Sequence, residues 1–333
     1  MNQQNNIKVK VSYPYPGQTD MLIRMLPAEL YPGIDFVINP PDSHEKYDYW
    51  IVFNFLYNHL SQQAVCPATN VIFVATEPYD VSCYPSDYLK QFGLVLSFEP
   101  SILKNNRNAL LSPPLSEWFV GKNHFELSGT TTVEKTKLIS VVSSNKTDLK
   151  GQRKRLEFAR AVKNHFGDKI DFYGRGIKPF ADKWDVLAQY KYSIAIENSY
   201  SDNYFTEKIN DCFLAQTFPL YYGCPNLENY FNSDSFIRID IHNVDRSIGI
   251  IKSVIESETH YADHLEAVLE SKSKVLGNYN FFAWCAALIT ERANAKPQAE
   301  YELITLRQQM PRTPALVTER INHKLYKFYR KYF

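Results

Sequence analysis

Several things are scarce or missing in this chain of 333 residues, and each removes a class of protein. Its five cysteines (Cys66, Cys83, Cys212, Cys224, Cys285) are odd in number, scattered, and free of any Cys-x-x-Cys spacing. Neither a disulfide framework nor a zinc site is expected, and the thiols read as small buried hydrophobes in a reducing compartment. No window approaches the roughly 18 apolar residues of a membrane span. The polar start, Met1-Asn-Gln-Gln-Asn-Asn-Ile-Lys8, lacks the apolar core of a signal peptide. A net charge of +1 is too balanced for a protein that coats nucleic acid with Lys and Arg. No Gly-x-Gly-x-x-Gly occurs, and Gly174-Arg175-Gly176 alone is too little for a dinucleotide site. No internal repeat or low-complexity tract is present.

What remains is a soluble globular composition, with 44% hydrophobic and 22% charged residues and enough length for two domains. Aromatics reach 14%, led by Tyr, which suits carbohydrate-facing surfaces as well as cores. Short apolar runs of strand length recur at Ile7–Ser12, Tyr47–Phe55, Asn70–Ala75 and Gly93–Ser97, separated by loop-like segments rich in Pro, Asn and Ser. This predicts a first α/β unit with a mostly parallel sheet. Composition turns loop-like from Ser112 to Lys137, with Gly129–Thr136 as the expected linker. A second series follows: strand Leu138–Ser143, a basic helix over Gly151–His165, strand Lys169–Gly174, a helix near Trp184–Tyr190, strand Ser193–Ile196, a helix from Glu207, a strand at Pro219, and Phe236–Asp240. Strand alternating with helix at this spacing implies parallel βαβ units.

The richest stretch is Glu197-Asn198-Ser199, a polar turn, then Asn203-Tyr204-Phe205-Thr206-Glu207-Lys208. A buried strand runs into a turn of Asn, Ser and Asp, and Thr206 is placed to cap the helix that follows. The carboxyl end of a parallel strand beside a helix N-terminus is where open α/β sheets bind phosphorylated ligands. Lys208 would add a mobile positive charge there, and Glu207 an acceptor for sugar hydroxyls. Taken alone, a Thr-Glu-Lys tripeptide is a capped helix start in solvent. Glu197, at the end of a buried strand, should be paired or hydrogen-bonded.

The whole block resembles the donor-binding motif of the α-1,3/4-fucosyltransferases, glycosyltransferase family ten, of the bacterial type. The family pattern has Glu-Asn-Ser, a polar spacer, Asp-Tyr-x-Thr-Glu-Lys, then a Pro-bearing strand ending in Gly, as Phe218-Pro219-Leu-Tyr-Tyr-Gly223 does here. Asn203 stands where Asp is usual, and Gln216 where a small residue is common. The likeness runs from about Ser143 to Gly223.

The resemblance implies a GT-B fold: residues 1–130 an acceptor-binding Rossmann-like domain, 131–295 a donor-binding Rossmann-like domain, the two facing each other across a cleft, and 296–333 a C-terminal helical segment. It implies an inverting, metal-independent transfer of L-fucose from GDP-fucose to an oligosaccharide hydroxyl, on GlcNAc or Glc of a lipopolysaccharide or other surface glycan. No resident cofactor or metal is implied. Arg155, in Arg153-Lys-Arg155-Leu-Glu-Phe158, would join Lys208 on the phosphates, where an Arg fork can hold two oxygens. By motif position Glu207 would take the ribose, and Asn198 and Tyr204 would line the donor pocket, although Tyr204 also fits simple core packing. Tyr173-Gly174 would lie beside the nucleotide, with Gly174 letting the backbone approach. Glu197 would be structural or a donor-sugar contact. The general base is expected from the first domain: Glu77, which follows an apolar strand, with Glu99 as its rival in the same strand-then-Glu-Pro form.

The tail from Arg320 to Phe333 is basic and aromatic. Val317, Ile321, Leu325, Phe328 and Tyr332 fall at helical spacing beside Lys324, Lys327 and Lys331. Such a helix either lies on an anionic membrane surface or packs back on the protein. The expected location is cytoplasmic, peripheral on the inner face of the cytoplasmic membrane. Two other readings stay open: a different nucleotide-sugar donor, suggested by the Ser201–Asn203 turn, and a catalytically silent glycan-binding relative.

Overall fold

The computed structural model describes residues 6–27, 30–42, 44–56, 61–148, 150–295, 300–308 and 314–332. It divides into two compact units. The first draws on two stretches, Met1–Leu115 and Phe281–Phe328, and the second holds Ser116–Asn280.

The first unit contains β1 (Ile7–Ser12), β2 (Ile34–Ile38), β3 (Tyr49–Phe53), β4 (Ser61–Cys66), β5 (Val71–Val74), β6 (Leu94–Ser97) and β7 (Ala109–Leu111). Six of these form a parallel sheet in the order β2-β1-β3-β5-β6-β7. Every residue of β3, β5 and β6 is buried, as strands covered on both faces must be. Trp50, Phe73, Tyr84, Tyr88 and Phe92 pack into one core over this sheet. The four anticipated strands are present, β1 over the expected residues and the other three trimmed at their ends. β2, β4 and β7 were not foreseen, because they are short or carry exposed polar positions.

The second unit contains β8 (Lys137–Val142), β9 (Ile170–Tyr173), β10 (Tyr190–Ile196), β11 (Phe218–Tyr222) and β12 (Ile237–Arg238). All pair in parallel, in the order β12-β11-β10-β8-β9. Helix Lys150–Phe166 packs with helix Val244–Ile255, and helix Glu207–Leu214 packs with helix His260–Gly277. The helix expected near Trp184–Tyr190 is a correction. Only one turn forms, Lys183–Val186, capped by the Asp182 side chain on the Trp184 N–H, and from Tyr190 onward the chain is committed to β10.

After Asn280 the chain rejoins the first unit. Phe281 packs edge-on against Phe53 and Phe282 against Phe36, with ring centroids 5.2 and 5.1 Å apart. Strand β13 (Glu302–Arg307) then pairs antiparallel with β4, and helix Pro314–Tyr332 follows. These contacts divide the chain differently from the expected 1–130, 131–295 and 296–333. The anticipated linker, Gly129–Thr136, is fastened to the second unit. Gln216, at φ 55° just past the Glu207 helix, donates to Thr130 O at 3.0 Å and accepts from Val133 N at 3.1 Å. Lys135 Nζ donates to Ala188 O, Ala215 O and Thr217 Oγ1 at 2.7, 2.8 and 3.1 Å. Among the described residues no helix is long and apolar enough to cross a membrane.

Candidate donor site and candidate base

In the second sheet the strand order reverses between β8 and β10, which makes their carboxyl ends the switch point where ligands of open α/β sheets settle. Ser143-Ser144-Asn145 leaves β8 there, and Glu197-Asn198 leaves β10.

Glu197 is 1% exposed and tied to the next helix. Its carboxylate accepts from Thr206 N at 2.8 Å and Thr206 Oγ1 at 2.7 Å, and lies 3.3 Å from Lys208 Nζ. Thr206 caps helix Glu207–Leu214 from its first turn, as its sequence position foretold. Lys208 is not the mobile charge that was expected. Its ammonium sits 3.0 Å from Glu207 Oε1, 3.0 Å from Thr206 Oγ1 and 3.3 Å from Glu197 Oε2. Burial would lower its pKa, but the two carboxylates more than reverse that and raise it. Burial likewise presses Glu207 upward, and Lys208 and Lys183 outweigh it, holding Glu207 below the usual carboxylate range. Glu197 goes the other way, raised by burial against the pull of Lys208.

Arg155, 7% exposed, donates from Nη1 to Asn198 Oδ1 at 2.6 Å and from Nη2 to Ser144 Oγ at 3.3 Å. It thus bridges both sides of the switch point. Its Nε is buried and has no hydrogen-bond partner among the described residues. A charged donor left unpaired in a protein interior is costly, and an incoming anion would satisfy it.

Two residues beneath this cluster carried no readable signal. Asp211, one helical turn past Glu207 and fully buried, pairs with Lys183 at 2.8 Å and accepts Phe119 N on both oxygens. Lys183 also donates to Glu207 O at 3.3 Å. Burial pushes Asp211 up to about 6, opposed by Lys183. Sequence spacing could have placed Asp211 on the Glu207 helix, but nothing pointed to Lys183 as its partner.

Not every anticipated donor residue reaches the switch point through its side chain. Tyr204 is 1% exposed, and its phenol lies near enough to Arg155 to act on that guanidinium's charge. Tyr173 turns its hydroxyl to Tyr190 at 2.8 Å, inside a cluster with Val186. Gly174 has φ 146°, and a Cβ there would meet Ser143 O at 1.8 Å, so the missing side chain lets two backbone segments close on each other. Asn203, the departure from the family's Asp, sits at φ 61° and faces away into the turn's own scaffolding. Its Oδ1 accepts from Asn226 Nδ2 at 2.9 Å and Tyr230 OH at 2.6 Å. A cavity of about 860 Å³ opens beside Glu197, Asn198 and Ser199, walled by Tyr200, Tyr222 and Arg246.

In the first unit Glu77 follows β5 and Glu99 follows β6, both at carboxyl ends. Glu77 N donates to Tyr84 OH at 3.3 Å, and Tyr84 in turn bonds Asn54. Glu99 is spoken for: its Oε1 accepts Tyr79 N at 2.7 Å, and burial raises its pKa against that bond. Among the described residues no group of three or more His, Cys, Asp or Glu could hold a metal ion.

Two α/β units, each with a parallel sheet, make this a GT-B glycosyltransferase fold, shared with a solved α1,3-fucosyltransferase in complex with GDP. The similarity has a TM-score of 0.50 at 18% identity and covers 83% of this chain and 92% of that one. A solved complex of α1,3-fucosyltransferase with GDP-fucose compares equally, at TM-score 0.50. Residues 132–305 match the model of the glycosyltransferase family 10 (fucosyltransferase) C-terminal region, and the chain belongs to that family. An α-(1,3)-fucosyltransferase of Helicobacter pylori is 33% identical over 102 residues, 30% of this chain and 21% of the relative. A 3-galactosyl-N-acetylglucosaminide 4-α-L-fucosyltransferase of Homo sapiens is 32% identical over 111 residues, 32% of this chain and 29% of that one. The alignments thus span less than a third of either relative's length.

Proposed function

We propose that this chain is an inverting fucosyltransferase that moves L-fucose from GDP-fucose to an oligosaccharide hydroxyl. The observation that carries the reading is the convergence of Arg155, Asn198, Glu207 and Lys208 on the β8/β10 switch point, within the family match. Arg155 meets the diphosphate, using the guanidinium whose Nε lacks a protein partner. Glu207, kept ionised by Lys208 and Lys183, accepts from the ribose hydroxyls. Asn198 is already oriented by Arg155 and lines the donor pocket, and Lys208 supplies charge from a fixed position. In this reading the transfer needs no resident metal, Arg155 and Lys208 meeting the phosphate charge.

In the displacement, the acceptor oxygen bonds to the anomeric carbon as the carbon–phosphate oxygen bond breaks. GDP leaves with the electron pair, and the acceptor's proton passes to Glu77. The acceptor we favour is GlcNAc or Glc of a lipopolysaccharide or related surface glycan.

The tail helix would rest on the cytoplasmic face of the membrane. Ile321, Leu325 and Phe328 are 50, 61 and 58% exposed on one side of it, with Arg320 and Lys324 exposed nearby. Apolar side chains flanked by cations suit an anionic lipid surface. The side chains of Val317, Lys331 and Tyr332 lie outside the described residues. Leu325→Ser with Phe328→Ser should weaken binding to phosphatidylglycerol vesicles, and unchanged binding would remove the membrane from the proposal.

Calorimetry against GDP, UDP, CMP and GDP-fucose, with EDTA present, tests the donor. Selective binding of GDP and GDP-fucose is expected. Preference for another nucleotide, or none bound, would leave the fold and overturn the fucosyl reading.

A further inference from the structure

The loop after β5 carries Glu77 and is gripped by chain 233 to 246 residues away. The peptide group flanks of Tyr79 are held on both sides. Its N–H donates to Glu99 Oε1 at 2.7 Å, and its carbonyl accepts from His323 Nε2 at 2.7 Å. The Tyr79 ring packs against His323 at 4.7 Å and Tyr326 at 5.1 Å between centroids. One residue on, Asp80 Oδ1 accepts from Tyr326 OH at 2.6 Å, and Val81 O accepts from Lys327 Nζ at 2.6 Å. Farther along, Glu319 takes Ser86 Oγ at 2.6 Å and Ser86 N at 3.0 Å. Helix Pro314–Tyr332 therefore presents two faces. His323 and Lys327 are partly buried and, with Tyr326, close on the loop, whereas Ile321, Leu325 and Phe328 face outward.

We infer that the tail helix is a positioning element for the transfer reaction, with His323, Tyr326 and Lys327 holding the loop that carries Glu77. This rests on the reading of Glu77 as the base. Glu77 stands two residues from Tyr79, so the backbone that sets its direction is fixed through Tyr79, and through its own N–H on Tyr84 OH, rather than through a sheet ladder. An irregular loop keeps one shape only where its polar backbone finds partners, and here the tail provides those of Tyr79 O and Val81 O. A base must sit within hydrogen-bond reach of the proton it removes, and misplacement on the order of 1 Å costs about 100-fold. Two of the contacts, to Tyr79 O and Val81 O, are directed at main-chain oxygens, while the Asp80 carboxylate and the Tyr79 ring add side-chain contacts.

The test uses the full chain with the pair Tyr326→Phe and Lys327→Ala, and separately His323→Ala. Asn322→Ala, exposed on the same helix, is the control. Amide hydrogen exchange across residues 77–86 reads the grip with no substrate present. Kinetics with GDP-fucose and N-acetyllactosamine, without vesicles, read its effect on turnover. Exchange should quicken in residues 77–86 and kcat should fall about 10- to 100-fold. The KM for GDP-fucose and the affinity for GDP should stay as they were. His323→Gln and Lys327→Arg keep a donor and should recover most of the rate. Unchanged exchange, or faster exchange with kcat intact, overturns the inference. Glu77→Gln run alongside separates the two readings. If that variant is inactive while the loosened tail works at full rate, only the positioning role falls. If Glu77→Gln keeps full rate, the base assignment fails and the inference made for it fails too.

Discussion

The two proposed groups of functional residues, one in each unit, are held in place by opposite means. On the donor side, Glu197, Thr206, Glu207 and Lys208 lie within a dozen residues and fix one another through side-chain bonds. Around Glu77, local bonds to Tyr84 and Glu99 are joined by bonds to backbone and side-chain groups from partners 233 to 246 residues on. A cluster written into one short stretch tolerates change elsewhere in the chain. A loop clasped from a distant helix does not, and its geometry depends on how that helix is engaged. Ground-state binding of the nucleotide and removal of the acceptor proton should therefore respond to different substitutions.

The largest test of that separation is Glu77→Gln. Transfer should fall by about 100- to 10,000-fold, the usual worth of a general base, while calorimetric GDP affinity stays unchanged. Loss of both would mean that the two groups are not separate. Lys208→Ala should do the reverse and also strike the fold. It leaves Glu197, fully buried, without its cation, and removing one partner of a buried pair costs about 3–5 kcal/mol. Denaturant unfolding should show that loss together with weaker GDP binding, and a variant of undiminished stability would contradict the pairing described.

A smaller effect concerns Lys135, which pins the segment before β8. Burial lowers its pKa to about 7, so between pH 7 and 10.5 the unfolded chain binds a proton that the folded chain does not. Stability contributed by this group should then rise with pH through that window, by at most about 1.4 kcal/mol per unit. Below pH 7 the contribution is flat, and Lys135→Met should remove the slope in a pH series of unfolding curves. Smallest of all, Asn203→Asp should move GDP affinity less than about twofold. Asp also accepts two bonds and also tolerates the left-handed backbone found there, so the scaffold survives. A large change would return the donor's identity to question.

The same contrast explains what could be read from the residues in order. The strand–turn–helix around Glu197 was legible because the partners of Glu197, Thr206 and Lys208, lie nearby and the Thr206 cap has a local signature. β3 and β5 were legible as continuous apolar runs, and β10 only in its last residues, Ser193–Ile196. β13 was not, since Glu302-Leu-Ile-Thr-Leu-Arg307 is largely exposed and finds its partner at Ser61–Cys66. The helix expected at Trp184 failed for a related reason: pairing of β10 with β8 and β11 claims the residues from Tyr190. Asn203 and Gln216 were noticed as departures from a pattern, but their work, closing a turn and fastening Thr130 and Val133, shows only in three dimensions. The clasp on Tyr79 had no signal at all.

The antiparallel pairing of β4 with β13 has a consequence for how the chain is made. Ribosomes deliver β4 about 240 residues before β13, roughly ten to fifty seconds at usual elongation rates. Through that interval a strand edge stands open on the nascent polypeptide, available to any neighbour that can pair with it. The N-terminal half is synthesised first yet finished last, and a stop codon placed just before Glu302 would leave it with that edge for good.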